Sequence, residues 1–560
     1  MRQSPSWIPA AAAAASVGIG LVDIISAVTP EFGERLRTLR SYVPDVLPHA
    51  ASSATVVVGV LLILVGHGLV RRKRRAWTAM LVLLAASIAL NLAKGLDYEE
   101  AVVAAAVLAA ALPLRGFFYA AGDPRTRWRS LGAFVALIVT SFAIGFGLIA
   151  AHHDRIVGSP SLWDYLRHIA LGLVDINGPI RFSRPGAADQ VSDILLGLGV
   201  LVGATTIYLL MRPAEPPGRL DPESEGRVRE LLERHGGRDS LGYFALRRDK
   251  SVIFSPSGKA AISYRVHTGV MLASGDPIGD PEAWPGAMQE FLTEADRHAW
   301  LPAVMGCSEL GGQVWVREAG LKALELGDEA IVEPESFTLE GRSMRNVRQM
   351  VARVERAGYT AQVRRVRDIP APEIQEIRHV AAAWRGAEVE RGFSMALGRF
   401  GEAGDAECVA VTAHKDGQLR ALLHFVPWGC DGLSLELMRR DRSADPGLNE
   451  FMIAHALQAA GDFGVRRVSL NFAVFRSALE RGERLGAGPV LRFWRRLLLI
   501  ASRWFQIESL YRFNAKFRPI WEPRFVCYPS ARSIARVALA ALEAEAFLVW
   551  PRPWERLRRA

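Results

Sequence analysis

Five stretches of about 20 apolar residues constrain this chain more than any other feature. They lie at roughly 49–70, 77–94, 100–120, 131–151 and 192–211, and each is long enough to cross a lipid bilayer as a helix. The opening run, 8–28, qualifies as a further span if Asp23 is tolerated near one end. The sequence therefore predicts a transmembrane helical bundle of about six spans in residues 1–212.

Charges in the loops between these stretches predict their orientation. Five consecutive basic residues, 71–75, follow the second span, and Arg125, Arg127 and Arg129 follow the fourth. Basic loops stay on the cytoplasmic side, and six spans bring both chain ends to one side. We therefore expect a multi-pass protein of the cell membrane with both termini in the cytoplasm. Asp23 is either a functional carboxylate or one that is hydrogen-bonded between helices.

The remaining residues form a pattern typical of an α/β region. A linker rich in proline and charge, 213–220, marks its start. Short β-like runs then alternate with amphipathic helices in two cycles, 221–365 and 366–550, and a basic tail follows at 551–560. The alternation predicts two mixed α/β units in series, each with a mainly antiparallel sheet. Both units should lie in the cytoplasm.

The charge balance of the whole chain indicates which kinds of partner it favours. The chain carries 68 Lys and Arg residues against 58 Asp and Glu, a net charge of +10. Such a balance favours polyanionic partners, either RNA or an anionic membrane surface. The four cysteines form no CxxC pair, so we expect no metal site. P-loop, GxSxG, HExxH and Rossmann fingerprints are absent from the sequence as well.

One segment, 483–489, resembles the pyrophosphate loop of N-acetyltransferases. Glu483 stands where that loop has Arg or Gln, beside what would be a phosphate. A carboxylate at that place repels the phosphate. An acyl-CoA donor is therefore disfavoured, and we expect no cofactor.

Residues 341–357 give the clearest periodic signal of the α/β region. At 100° per residue, five arginines fall within an arc of about 140°, while Met and Val residues occupy the opposite face. The arginines are Arg342, Arg345, Arg348, Arg353 and Arg356. The pattern predicts an amphipathic helix. Its arginines are either a solvated face or contacts to the phosphates of RNA or lipid.

A second segment, 504–529, interleaves eight aromatic residues with Arg512, Lys516, Arg518 and Arg524. This composition suits a platform for a nucleotide end or a lipid headgroup. It suits equally well a packed core with cations whose aliphatic stems are buried. The residues alone leave both interpretations open.

Six segments occur in a recognisable order between residues 225 and 530. They read YFALRRDKSVIFSPSG (243–258), LASGDPIGD (272–280), FTLEGRSMRNVRQ (337–349), ERGFSMALGRF (390–400), LSLELMRR (433–440) and LYRFNAKFRPIWEPR (510–524). Together they resemble the lysylphosphatidylglycerol synthase family, also called the multiple peptide resistance factors. The resemblance implies tandem acetyltransferase-like (GNAT) folds joined by a basic helix, which 341–357 matches.

The resemblance also implies a function. A lysyl or alanyl group would pass from aminoacyl-tRNA to a hydroxyl of phosphatidylglycerol, an anionic phospholipid, which would change membrane charge and resistance to cationic antimicrobial peptides. The apolar half resembles the actinobacterial-type short region found beside a lysyl-tRNA synthetase. The sequence carries no synthetase module, so we expect the donor to come from the cell's pool of charged tRNA. Diacylglycerol or a peptidoglycan precursor as acceptor, and a lipid flippase with an inactive soluble domain, are the alternatives.

Residue roles follow from the same resemblance. A carboxylate followed three residues later by arginine falls on Glu436 and Arg439, with Glu in place of the family's Asp. Glu436 would handle a proton or bind the α-amino group, and Arg439 and Lys516 would position phosphate or stabilise an oxyanion; a simple Glu436–Arg439 salt bridge is the alternative. On a strand, residues i and i+3 point to opposite faces, so a bend must follow Glu436. Further substrate contacts, besides the five arginines, are implied at Glu390, Arg391, Asn449, Tyr511 and Arg518.

Overall fold

The computed structural model describes residues 7–28, 46–95, 98–120, 124–174, 176–183, 185–211, 216–386, 392–474 and 507–548. The chain divides into two compact units, residues 1–215 with 296–299 and residues 216–295 with 300–560. Apolar helices make up the first unit. A mixed α/β domain makes up the second.

The first unit contains seven α-helices in its described residues. They are α1 (Trp7–Val28), α2 (Val46–Val70), α3 (Arg74–Gly95), α4 (Tyr98–Ala111), α5 (Pro124–Ala151), α6 (Leu162–Gly172) and α7 (Pro185–Met211). Five segments reach the length and apolar character of a membrane span, namely Trp7–Ser26, Arg74–Ala93, Tyr98–Phe117, Leu131–Ala151 and Ala188–Leu209. The remaining predicted span corresponds to the shorter apolar helix Ala54–Val70. The helical membrane region is confirmed, with five full-length candidates in the described residues instead of about six.

A close glycine contact and a buried carboxylate hold α1 against its neighbours. A Cβ on Gly20 would come within 2.5 Å of the Gly59 carbonyl oxygen, so glycine is what allows α1 and α2 to approach. Further along α1, buried Asp23 accepts hydrogen bonds from Ser87 at 2.9 Å and from Asn91 at 3.0 Å, both on α3. This carboxylate is hydrogen-bonded between helices, as one of the two sequence interpretations expected.

From residue 216 onward the described residues form twelve strands and eight α-helices. The strands are β1 (Ser251–Phe254), β2 (Ala260–His267), β3 (Val270–Ser274), β4 (Ile278–Gly279), β5 (Leu301–Cys307), β6 (Lys322–Val332), β7 (Tyr359–Arg365), β8 (Val409–Lys415), β9 (Gln418–Trp428), β10 (Gly432–Arg440), β11 (Arg467–Val474) and β12 (Ile520–Tyr528). The helices are α8 (Pro222–His235), α9 (Trp284–His298), α10 (Glu309–Ala319), α11 (Arg345–Arg356), α12 (Ala371–Arg385), α13 (Leu448–Ala459), α14 (Ile507–Ala515) and α15 (Ile534–Ala544).

The strands join into one sheet. Its order is β1-β2-β3-β5-β12-β6-β11-β10-β9-β8-β7, with β4 paired to β2. Most neighbours are antiparallel, as predicted, while β3–β5 and β10–β11 are parallel. The two expected cycles do not keep separate sheets, because β11 pairs with β6 and β12 returns to lie between β5 and β6. Long-range pairing of this kind leaves no local sequence pattern.

A separate hydrophobic core covers each face of the sheet around β8. Val409, Val411 and Ala413 pack with residues of α11 and α13, whereas Ala410 packs with residues of α8 and α12. Successive residues of a strand point to opposite faces, so the two cores lie on opposite sides. We call these sides the α11 face and the α12 face.

A buried arginine ties β12 to its neighbours. Arg524 is 3% exposed and donates from Nε to Glu329 at 2.9 Å and from Nη1 to Asp239 at 2.7 Å. Glu329 also accepts hydrogen bonds from Ser240 and Ser469. Charge pairing and these hydrogen bonds offset the cost of removing the groups from water. One guanidinium group thus holds β12 in the middle of the sheet.

Replacing Arg524 with methionine should lower the free energy of unfolding by about 3–5 kcal/mol, because two buried carboxylates lose their cation. Chemical denaturation of the purified full chain in detergent, followed by tryptophan fluorescence, measures the change. Arg532→Met, at an exposed position, is the matched control. Equal stability of the two variants would contradict the role given to Arg524.

Candidate functional site

The basic helix predicted at 341–357 is present, with shorter bounds. α11 begins at Arg345 and ends at Arg356, and Arg342 lies in the turn before it. Met344, Val347, Val351 and Val354 are buried in the core of the α11 face, while all five arginines are exposed. Arg348 donates to the carbonyl oxygens of Leu339 at 2.5 Å and Gly341 at 3.2 Å, which fixes the preceding turn against the helix.

Two cations of the aromatic segment lie beside this helix. Lys516 donates to Glu450 in the first turn of α13 at 2.7 Å, and α13 packs against α11 in one core. The guanidinium group of Arg518 lies 3.4 Å from the hydroxyl of Ser343, just before α11. The fold therefore gathers seven cations, which we call the basic surface: Arg342, Arg345, Arg348, Arg353, Arg356, Lys516 and Arg518.

Two further predicted contacts lie near the basic surface. Asn449 precedes Glu450, the partner of Lys516, in the first turn of α13. Tyr511 is half-buried on α14, with its ring centroid 5.3 Å from that of Trp521. Glu390 and Arg391 lie outside the described residues, and so does the segment 483–489.

Glu436 lies at a break in the regular pairing of β10. The register with β9 shifts between Leu435 and Leu437, which is the bend that the spacing of Glu436 and Arg439 requires. One carboxylate oxygen of Glu436 accepts hydrogen bonds from the backbone N–H groups of Leu397 and Gly398, each at 3.0 Å. The other lies 2.8 Å from Nδ1 of His424, and the Glu436 side chain is 2% exposed.

His424, which the sequence did not point to, forms an ion pair with Glu436. Burial by itself lowers the pKa of this histidine, but the neighbouring Cys408 and Glu436 raise the pKa to about 10. At neutral pH the contact is therefore between an imidazolium and a carboxylate. The ring also meets Phe400 edge-on, with centroids 5.0 Å apart.

The three predicted catalytic residues do not form one cluster. After the shift at Glu436, Arg439 lies on the same side as Glu436 and approaches the Ala381 carbonyl oxygen of α12 at 3.4 Å. Lys516 lies instead on the α11 face with Glu450. The structure therefore places Lys516 apart from Glu436 and Arg439. The reason is that β10 turns Glu436 and Arg439 toward α12, whereas the chain before β12 runs along α13.

Within the described residues, no group of three or more His, Cys, Asp or Glu side chains is arranged to hold a metal ion. Glu436 is paired with His424, while buried Oδ1 of Asn449 and Nε2 of His424 have no hydrogen-bond partner among the described residues. What the described site offers is exposed cationic surface and buried positioning contacts.

The fold and the site together define the class of protein: a membrane protein with several spans that carries a basic α/β domain. Two family models match the chain. Residues 229–528 match the family described as phosphatidylglycerol lysyltransferase, C-terminal, and residues 4–207 match the transmembrane region of lysyl-tRNA synthetase. The first match covers more than half of the chain, so the protein belongs to the phosphatidylglycerol lysyltransferase C-terminal family, as the sequence resemblance indicated.

Curated relatives agree with this membership. The lysylphosphatidylglycerol biosynthesis bifunctional protein LysX of Mycolicibacterium vanbaalenii is 40% identical over 98% of this chain and 50% of its own length. The protein of the same name from Rhodococcus opacus is 41% identical over 94% of this chain and 47% of its own length. The chain spans about half the length of the curated relatives it matches.

Solved structures that resemble the α/β domain include two from proteins with related names. L-PGS from Bacillus licheniformis is 24% identical, with a TM-score of 0.49, over 59% of this chain and 99% of that chain. The C-terminal domain of a putative lysylphosphatidylglycerol synthetase from Agrobacterium fabrum is 25% identical, with a TM-score of 0.49, over 58% of this chain and 98% of that chain.

The buried ion pair predicts a pH-dependent stability. The pKa of His424 rises from 6.5 to about 10 on folding, so its stabilisation is complete below pH 6.5 and disappears as the pH rises through 10. His424→Gln should therefore lower the free energy of unfolding by about 3–5 kcal/mol at pH 6. The difference from wild type should shrink toward pH 10.

Denaturation of the full chain at several pH values measures this difference. His455→Gln is the control, because burial lowers the pKa of that half-buried histidine and gives it no ion-pair stabilisation. A pH-independent loss of stability in His424→Gln would show that His424 contributes packing and not charge.

Proposed function

We propose that this protein transfers a lysyl group from lysyl-tRNA to a hydroxyl of phosphatidylglycerol at the cytoplasmic side of the cell membrane. The observation that carries the proposal is the basic surface, which gathers seven cations on one face of a domain of this family. The names of the relatives, lysylphosphatidylglycerol biosynthesis proteins, support lysine as the amino acid. Alanyl transfer is the alternative, and the mass of the product distinguishes the two.

An RNA backbone is the ligand that suits α11. In the part of the chain that the structure describes, the five arginines form no salt bridge, and the carboxylate of Asp445 interacts with Arg353 only at longer range. Guanidinium groups bind phosphates through paired N–H donors. The spacing along three helical turns presents these donors as a row that follows a phosphate backbone.

The reaction needs neither ATP nor a metal ion, because an aminoacyl ester is already activated. The oxygen of the lipid hydroxyl attacks the ester carbonyl carbon, and the bond from that carbon to the ribose oxygen of tRNA breaks. The proton of the lipid hydroxyl ends on the departing ribose oxygen. The protein contributes by orienting the two substrates and by stabilising the negative charge that develops on the carbonyl oxygen.

The exposure and the contacts of Lys516, Arg439 and Glu436 indicate the role of each side chain in this reaction. Lys516 is 40% exposed and held by Glu450, which suits an ammonium group that positions phosphate or stabilises the oxyanion. Arg439, on the α12 face, is proposed for phosphate positioning. Both oxygens of Glu436 are engaged by protein donors. We therefore assign Glu436 to holding its neighbours in place, in preference to exchanging a proton with substrate.

The membrane helices serve the same reaction. Five full-length apolar helices hold the chain in a bilayer, and the basic loop at 71–75 orients them so that the α/β domain lies in the cytoplasm. The lipid acceptor then lies in the adjoining leaflet. Replacing the net negative charge of phosphatidylglycerol with a lysyl headgroup reduces the attraction of the membrane for cationic antimicrobial peptides.

Substitutions in the full chain test the roles proposed for Lys516 and Glu436. The protein is reconstituted in phosphatidylglycerol vesicles and supplied with radiolabelled lysyl-tRNA. Lys516→Ala should lower the rate of lipid labelling by about 100-fold, the cost of removing one oxyanion donor. Glu436→Gln should lower kcat by about tenfold through misplacement. Lys322→Ala, at an exposed position, should leave the rate unchanged. Full activity in both Lys516→Ala and Glu436→Gln would exclude the roles proposed for these two residues. In a separate test of the donor, RNase treatment of lysyl-tRNA should abolish lipid labelling.

The arginines of α11 should determine the affinity for tRNA and its salt dependence. Replacing Arg345, Arg353 and Arg356 with alanine should raise the KM for lysyl-tRNA. It should also reduce the slope of log affinity against log salt by about 0.7–0.9 for each phosphate that the helix no longer binds. Arg234→Ala and Arg317→Ala, at exposed arginines of α8 and α10, are the control. An unchanged salt slope would place the RNA elsewhere.

A further inference from the structure

A short segment on the α12 face is held at both ends by buried carboxylates. We call this segment, residues 392–400, the strap. Toward its end, the N–H groups of Leu397 and Gly398 donate to Glu436, each at 3.0 Å. In the sequence it directly follows Glu390 and Arg391, two of the proposed substrate contacts.

Glu545 holds the beginning of the strap. It follows the last residue of α15 and is 3% exposed. Its carboxylate accepts hydrogen bonds from the N–H of Phe393 at 2.6 Å, the N–H of Ser394 at 3.0 Å and the Ser394 hydroxyl. Its backbone carbonyl accepts one more, from the N–H of Gly392 at 3.3 Å. The carboxylates of Glu436 and Glu545 thus bind the strap through its backbone amides.

Two basic side chains complete the enclosure of the strap. Arg247 donates from one nitrogen to the carbonyl oxygens of Gly392 and Ala396. The ammonium group of fully buried Lys250 lies 4.6 Å from the centre of the Phe393 ring, and burial lowers the pKa of this lysine to about 7. A buried amide without an acceptor carries the full cost of desolvation. The strap therefore keeps its shape only while its partners are in place.

We propose that Glu545 is a positioning residue for the transfer reaction and acts through the strap on Glu436. The inference rests on the proposed function. Glu545 lies beyond residues 229–528, the part of the chain that the family model matches. Without its carboxylate, the amides of Phe393 and Ser394 lose their acceptor, and the strap shifts relative to Glu436. The basic surface, on the opposite face of the sheet, keeps its contacts.

Glu545→Gln in the full chain, reconstituted in phosphatidylglycerol vesicles with lysyl-tRNA, tests this role. The kcat should fall by about tenfold through misplacement, while the KM for lysyl-tRNA stays at the wild-type value. Hydrogen exchange of the peptide that covers the strap should become faster. Glu545→Asp, which keeps the charge on a shorter arm, should show an intermediate kcat. Glu290→Gln, at an exposed position of α9, should behave as wild type.

A double variant separates positioning from general stability. If Glu545 acts through Glu436, the kcat of Glu436→Gln/Glu545→Gln equals that of Glu436→Gln alone, since coupled residues are not additive. If the two effects multiply, or if Glu545→Gln keeps the wild-type kcat, the inference is overturned. Wild-type protein that forms no aminoacyl lipid would contradict the proposed function instead. Faster hydrogen exchange of the strap in Glu545→Gln would in that case still show that Glu545 holds the strap.

Discussion

The pairing of Arg524 with Glu329 and Asp239 fixes the strand on which the α/β domain depends. This strand, β12, lies between β5 and β6 and joins the first strands of the sheet to those from β6 onward. Lys516 and Arg518 directly precede it, so its insertion places them beside α13 and Ser343. Helix α15 follows it and carries Glu545 to the strap. One buried ion cluster thus supports both faces of the proposed site.

Features with a strong local period could be predicted from the sequence. The apolar stretches of the first unit and the amphipathic helix α11 follow from composition and from the 3.6-residue repeat. Strands β2, β8 and β9 follow from short apolar runs between turn residues. The bend at Glu436 was required by its three-residue spacing from Arg439, and the register shift between Leu435 and Leu437 confirms it. In each case, residues that are close in the sequence determine the local structure.

Features set by distant partners could not be predicted. The aromatic segment 504–529 allowed a platform or a packed core, and its described residues include both buried and exposed side chains. Phe517 and Arg524 are buried, while Lys516 and Arg518 are exposed. Whether a residue of this segment is buried or exposed depends on the pairing of β12 with β5 and β6. These strands lie about two hundred residues earlier in the chain. His424 and Glu545 were missed for the same reason, since their partners lie on other elements.

We propose that the α/β domain moves an aminoacyl group from tRNA to lipid. The most direct measurement is mass spectrometry of lipids after the purified full chain, in phosphatidylglycerol vesicles, receives preformed lysyl-tRNA without ATP. We predict a new lipid with the mass of lysylphosphatidylglycerol, and none when free lysine replaces lysyl-tRNA. If protein that is folded and binds tRNA forms no aminoacyl lipid from either lysyl-tRNA or alanyl-tRNA, the proposed transfer is contradicted.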